Sequence, residues 1–259
     1  MKIDIPKFET QKELHDFLIK NHDDFIYQKK NAYKEADACG LSAIILNDDL
    51  TRKSETNDKK SIKVRAIINT TMVMDSHKDV HINGLWKKSL KENKRIRHVR
   101  EHKSGFENII SDKGDLKAFT KIYTWKDLGY DKEGNTEALV FDSNVKESRN
   151  PFMFKQYKDG NVDNHSVGMY YVDVKFALNS KEEDATELKA EYDKHINNIA
   201  NKDEVEKQGY FWAVYEAKVK EGSAVTDGSN SITPTLSPKE AKVKISPEKL
   251  AINKFLNIE

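Results

Sequence analysis

The pattern of apolar and polar residues predicts a helix near the start of the chain. Thr10 followed by Glu13 matches a capping box, which typically begins a helix. Asn21 interrupts the apolar stripe that follows, and Gly40 is typical of a helix end. The first 47 residues or so are therefore expected to be mainly helical. The predicted apolar face carries Leu14, Phe17, Leu18 and Phe25.

From residue 62 onward the pattern changes to the two-residue alternation of half-buried strands. The stretches IKVRAIIN, LKAFTKIYTW and HSVGMYYVDVKFAL show it, and so do residues 210–225. Mixed helices and strands predict an α+β fold, and the strands are expected to close, or nearly close, into a β-barrel with helices around it. The segments between strands include two polar turns, at 112–115 and 131–135, and two helical stretches, at 150–160 and 181–208.

Changes in composition suggest where domains begin and end. The polar run DDLTRKSETNDKKS separates the helical start from the strands, and three prolines fall within the last 26 residues. A short amphipathic piece, 250–258, lies within that tail. The predicted units are an N-terminal helical segment at 1–50, a linker at 51–61, a main domain at 62–236 and a flexible C-terminal tail at 237–259.

Composition narrows the function classes only slightly. The 259 residues carry 44 Lys and Arg against 43 Asp and Glu, so a net charge of +1 gives no electrostatic case for nucleic acid. Cys39 is the one cysteine, which excludes an intrachain disulfide and fits a reducing compartment. The start of the chain lacks a signal-peptide pattern, and no apolar run of about 18 residues occurs, so a cytosolic protein is expected.

Two strands end in polar residues that could carry chemistry. On the first, Ser166 is predicted to share a face with alternate residues through Phe176, either as a presented nucleophile or as an ordinary small strand serine. On the last, Glu221 continues an apolar row that runs from Phe211 through Val219. A carboxylate there needs a hydrogen-bonding partner such as an imidazole, unless it emerges into solvent at the strand end.

Four histidines form pairs with a four-residue spacing, which suggests metal ligands as an alternative. The zincin pattern requires Glu directly after the first histidine, and Val99 stands there instead. Exposed, untethered histidines would give the same spacing. The two pairs are His77 with His81 and His98 with His102.

Four segments in order resemble the prohead protease family of tailed phages, which shares its fold and mechanism with the herpesvirus assemblins. They are TTMVMDSHKDVHINGLWKKSL, RIRHVREHKSGFENIIS, DNHSVGMYYV and EGSAVTDGSNSITPT. The resemblance as a whole covers about residues 62–236. The first departs from the family pattern, since Lys78 stands where a glycine usually precedes the second aspartate. The charged stretch 181–208 is a second departure, an insert between the last two segments.

This resemblance implies a herpesvirus-protease-like β-barrel and a Ser-His-Glu triad, with Ser166 as nucleophile, His102 as base and Glu221 as the acid. Glu216 is a rival for the acid, although it should lie on the opposite strand face. The oxyanion loop would comprise Gly228, Ser229 and Asn230.

The resemblance also implies which partners the chain has and where in the cell it acts. The partners would be major capsid protein, scaffold protein and a second copy of the chain, inside an assembling procapsid in the host cytoplasm. No cofactor, metal, membrane or specific nucleic acid is implied. A non-catalytic capsid assembly or scaffolding protein with the same fold, and a metal hydrolase built on the four histidines, are the competing hypotheses.

Overall fold

Two β-sheets with helices against them form the framework, which makes the fold α+β. The computed structural model describes residues 5–36, 43–45 and 60–226. Its helices are α1 (Gln11–Asn31), α2 (Lys87–Glu92), α3 (Pro151–Lys158), α4 (Thr186–His195) and α5 (Lys202–Gln208). Its strands are β1 (Tyr33–Glu35), β2 (Ala43–Ile45), β3 (Ser61–Thr70), β4 (Asp79–His81), β5 (Arg97–Arg100), β6 (Ile109–Asp112), β7 (Leu116–Thr124), β8 (Asn135–Lys146), β9 (Asn164–Leu178) and β10 (Tyr210–Val225).

The larger sheet contains the residues of interest. Its strand order is β1-β9-β10-β5-β6, and β4 pairs with β10 outside that path. The smaller sheet has the order β2-β3-β8-β7. Phe141 of the smaller sheet and Val167 of the larger one belong to the same buried cluster, so the sheets share a core. The α+β class is as expected, but no closed barrel is found in the part of the chain that the structure describes.

The N-terminal helix begins as predicted and ends earlier. The Thr10 hydroxyl accepts a bond from the Glu13 amide at 3.2 Å, and the Glu13 carboxylate accepts one from the Thr10 amide at 3.3 Å. The expectation of helix to about residue 47 is wrong, because α1 ends at Asn31 and β1 and β2 follow. Pairing of β1 with β9 satisfies the backbone groups that a longer helix would have satisfied. The predicted N-terminal segment therefore contributes β1 to the larger sheet and β2 to the smaller one.

A buried ion pair ties α1 to β4. Lys29 is 2% exposed and Asp79 is 1% exposed, and their side chains are in direct contact. The Tyr171 hydroxyl donates to the second oxygen of Asp79 at 2.9 Å. Lys78, which stands where the resembling family usually has glycine, adopts φ +64°, the left-handed conformation that glycine favours. The turn before Asp79 therefore forms in spite of the substitution.

Several other predicted elements are confirmed. Asn150 caps α3 by accepting a bond from the Met153 amide at 3.0 Å, and the stretch 181–208 holds α4 and α5. Cys39, Gly40, most of the predicted linker and the tail at 237–259 lie outside the described residues. Among the residues with described structure, no helix combines the length and apolarity needed to cross a membrane.

Candidate active site

An irregularity in the pairing of β9 with β10 determines which way Glu221 points. Val219 lies opposite Met169, but the next pair joins Glu221 to Gly168, so Lys220 is an extra residue on β10. An extra residue reverses the alternation of side chains along a strand. Val219 therefore faces the core and Glu221 faces away from it, on the same side as Ser166.

The predicted apolar rows are consequently wrong in part. On β9, Val167, Met169 and Tyr171 enter the core, and after a shift at Val172 the core residues become Val174 and Phe176. Ser166 and Phe176 thus do not share a face, although Ser166 and Gly168 do. On β10, Phe211 and Ala213 pack in a different cluster from Ala217 and Val219. Glu221 ends none of these rows, because the bulge at Lys220 redirects it.

His102 lies in a turn directly after β5. Glu101 and His102 have φ of +51° and +55°, a conformation that costs residues other than glycine about 1–3 kcal/mol each. The turn is held by β10, since the Glu101 amide donates to the Ala224 carbonyl at 2.9 Å. The His102 amide donates to the Ser223 hydroxyl, also at 2.9 Å. The parallel register pairs Glu221 with Arg97, and the left-handed turn that follows β5 returns the His102 ring to Glu221.

The carboxylate of Glu221 has three partners. Its Oε1 lies 2.7 Å from His102 Nδ1 and accepts a bond from the Tyr33 hydroxyl at 2.8 Å. Its Oε2 accepts a bond from the Ser223 hydroxyl at 2.7 Å. The side chains of His102 and Glu221 are only 12% and 8% exposed, so the pair is largely shielded from water. A proton on Nδ1 would be held by Glu221 and leave Nε2 free to accept another.

The electrostatics of the pair favour a charged imidazole. Burial by itself lowers the pKa of His102, but the hydrogen bond and negative charge of Glu221, with a smaller contribution from Glu35, raise its pKa above the ordinary 6.5. The pKa of Tyr33 is also raised, first by burial and then by the adjacent Glu221 carboxylate. Tyr33 is therefore a neutral donor that holds the carboxylate in place.

Ser166 lies on the strand next to this pair. It is directly opposite Ser223 in the antiparallel register of β9 and β10, and it is 3% exposed. Its hydroxyl donates to the backbone carbonyl of Ala36 at 2.5 Å. Within the described residues, no hydrogen bond joins Ser166 to His102. The structure thus gathers the three predicted residues on one face of the sheet, with the serine hydroxyl turned toward the N-terminal segment.

Glu216, the rival acid, lies elsewhere. It is paired with Asp173 in the β9–β10 register, and its carboxylate is 3.0 Å from Lys88 Nζ. The imidazole of His102 is bonded to Glu221 instead.

The four histidines of the metal hypothesis do not converge. His98 is fully buried on the core side, where its ring bonds to Ser143 at 2.8 Å and to the Tyr157 hydroxyl at 3.1 Å. Burial lowers the pKa of His98 to about 3, and that of His81 to about 4. No group of three or more His, Cys, Asp or Glu that could hold a metal ion occurs among the residues that the structure describes.

The structure adds three residues that the sequence did not single out. Ser223 bridges Glu221 and the His102 turn, and its spacing of two from Glu221 on a strand could have revealed it. Tyr33 begins the short strand β1 and Ala36 directly follows that strand, which is too short to show a periodic signal. Three predicted oxyanion residues lie outside the described part of the chain: Gly228, Ser229 and Asn230.

Comparison with known proteins found no matching family model, no matching curated protein and no matching solved structure.

Proposed function

We propose that this chain is a serine endopeptidase in which Ser166 attacks the peptide carbonyl. The observation that carries the proposal is the 2.7 Å contact between His102 Nδ1 and Glu221, on the sheet face that also carries Ser166. A shielded carboxylate on one imidazole nitrogen, with a serine on the adjacent strand, is the arrangement that nucleophilic acyl transfer needs.

In the proposed mechanism, His102 Nε2 takes the hydroxyl proton as Ser166 Oγ bonds to the carbonyl carbon. Glu221 stabilises the imidazolium that forms, and Tyr33 and Ser223 keep the carboxylate oriented. The hydroxyl first has to turn from the Ala36 carbonyl toward His102. By the family resemblance, backbone amides of Gly228, Ser229 or Asn230 would bind the oxyanion. One such donor stabilises the transition state by about 2.7–4 kcal/mol.

The biological setting of the proposal rests on the resemblance to prohead proteases. The substrates are then the major capsid protein or its scaffold and the chain itself, cleaved inside an assembling procapsid in the host cytoplasm. The proposed fold within the α+β class is a herpesvirus-protease-like β-barrel. The chain is also proposed to associate with a second copy of itself. This enzyme needs no cofactor or metal and acts without specific nucleic acid or a membrane.

The first experiment is co-expression of the chain with its capsid and scaffold proteins. Ser166→Ala removes one buried oxygen and should abolish capsid processing, whereas the wild-type chain gives shortened capsid protein on a gel. Unchanged processing by Ser166→Ala would refute the proposal. Matched circular dichroism of the two proteins checks that the variant is folded.

A non-catalytic capsid assembly protein is the second candidate. The observation in its favour is that the Ser166 hydroxyl is bonded to Ala36 rather than to His102. Under this hypothesis Ser166→Ala leaves head assembly intact, and no capsid fragment is produced by either form.

A further inference from the structure

The short strand β1 and the residue after it lie along β9 and reach the position of Ser166. β1 runs antiparallel to β9, and its last residue, Glu35, lies opposite Gly168. The next residue continues the pairing, because the Ala36 amide donates to the Val167 carbonyl at 3.1 Å. Ala36 therefore lies beside the residue that directly follows Ser166 in the chain.

The backbone carbonyl of Ala36 engages the hydroxyl of Ser166. The hydroxyl donates to this carbonyl oxygen at 2.5 Å. A serine hydroxyl has one hydrogen, so it cannot donate to Ala36 and to the imidazole of His102 at the same time. Ser166 is also only 3% exposed, which shields its hydroxyl from a second molecule. In this arrangement the proposed nucleophile is satisfied within the chain and is not presented to a substrate.

Few contacts hold Ala36 compared with the rest of the N-terminal segment. Its side chain is buried in the main core, and its backbone makes the two hydrogen bonds to Val167 and Ser166. Displacing all of β1 would also break the register with β9 and the bond from the Tyr33 hydroxyl to Glu221. Local opening at Ala36 alone is therefore the least costly way to free the Ser166 hydroxyl.

We propose that Ala36 is an inhibitory latch on Ser166, so that the resting chain is latent and reacts only while Ala36 is displaced from β9. The inference rests on the proposed function. On displacement the Ser166 hydroxyl loses its acceptor and turns to His102, while Tyr33 stays bonded to Glu221. When the displaced form is the minor one, the observed rate is the rate of that form multiplied by its population. A change that weakens the contacts of Ala36 but spares the proposed triad should therefore raise the rate.

The test measures how fast a fluorophosphonate labels Ser166 in the full chain, a reaction that phosphonylates an activated serine hydroxyl with loss of fluoride. Ala36→Gly removes the buried methyl group and adds backbone freedom, so it should raise the second-order rate constant of labelling by about 2- to 5-fold. Ala36→Pro removes the amide hydrogen that bonds to Val167 and should raise the rate constant by roughly 10-fold. Mass spectrometry of the labelled peptide identifies Ser166 as the modified residue.

Val205→Ala is the matched control. It also removes buried methyl groups, but from a cluster to which Ala36 does not belong, and it should be labelled at the wild-type rate. Equal acceleration by Val205→Ala would indicate a general loosening of the fold and would overturn the latch. Circular dichroism checks that each variant is folded. Ala36→Gly, the milder change, decides the question if Ala36→Pro does not fold.

Combining His102→Ala with Ala36→Gly separates the failure of this inference from the failure of the proposed function. Labelling of Ser166 that requires His102, but is no faster in either Ala36 variant than in the wild type, overturns the latch and leaves the proposed function standing. Labelling that persists without His102, or that is absent from every form, refutes the proposed function and the latch with it.

Discussion

Gly168 lies directly opposite Glu221 in the antiparallel pair of β9 and β10, and the Glu221 carboxylate passes over it. A Cβ at position 168 would be 1.9 Å from Glu221 Oε1 and 1.9 Å from the Tyr33 hydroxyl oxygen. No side chain fits at this position without moving the groups that hold His102.

Gly168→Ala is therefore expected to displace the Glu221 carboxylate and to lower the rate of capsid-protein processing by roughly 10-fold or more, since misplacement by about 1 Å can cost 10²-fold. Gly114→Ala is the matched control, because a Cβ there meets nothing within 4 Å. Initial rates measured on folded proteins check the effect. Equal rates for the two variants would contradict the importance of this close approach.

Removing the charge of the acid tests which glutamate acts with His102. Glu221→Gln keeps the shape but leaves the imidazolium without its carboxylate, so kcat should fall by roughly 10²–10⁴. Glu216→Gln should retain nearly full activity, because Glu216 is 30% exposed and contacts Lys88. Single-turnover processing rates for both variants decide the question, and a defect confined to Glu216→Gln would reverse the assignment.

The raised pKa of His102 predicts the acid limb of the pH profile. A protonated imidazole cannot accept the serine proton, so activity should rise with pH and reach half its maximum above pH 6.5. Glu35→Gln removes one of the charges that raise this pKa and should move the midpoint to lower pH. Rates from pH 5 to 9 provide the measurement. A midpoint that moves upward in Glu35→Gln would be inconsistent with this electrostatic account.

The buried histidines predict loss of stability in acid. Burial lowers the pKa of His98 to about 3 and that of His165 well below 6.5, so the unfolded chain binds more protons than the folded one below pH 6.5. Their contribution to stability is present above pH 6.5 and is lost as the pH falls toward the folded values. Each histidine adds a slope of about 1.4 kcal/mol per pH unit to the free energy of unfolding.

The change of the unfolding free energy with pH, measured by urea denaturation between pH 4 and 6, distinguishes the titration of the histidines from their packing. His98→Gln should reduce it by about 1.4 kcal/mol per pH unit. Tyr157→Phe removes the hydroxyl that bonds to both histidines, at 3.1 Å and 2.7 Å, yet leaves the titrating rings in place. It should lower stability without changing the slope. Identical slopes in wild type and His98→Gln would refute the prediction.

The sequence predicted elements whose signals are local. The Thr10–Glu13 box marks the start of α1, and regular alternation identified β9 and β10, since each of these depends on neighbours along the chain. The alternation placed Glu221 on the same strand face as Val219, and that prediction is wrong. A one-residue bulge at Lys220 leaves no mark in the sequence, because it requires no particular residue type there.

The parts of the site that the sequence did not predict depend on pairing between strands that are distant in sequence. Tyr33–Glu35 is too short to show a period, and its strand conformation comes from β9, which lies far away in sequence. Tyr33 and Ala36 could not be placed at the site without that pairing. The catalytic roles of Ser166, His102 and Glu221 stay predictions, although the structure brings the three residues to one face.

The site is assembled from segments that are made at very different times. Glu221 follows His102 by 119 residues and Ser166 follows Ala36 by 130, whereas translation proceeds from the amino terminus. A ribosome-bound chain that has not yet released β10 has no carboxylate for His102. On the proposed function, an interrupted translation product would be proteolytically silent, so the host cytoplasm is not exposed to the activity of half-made enzyme.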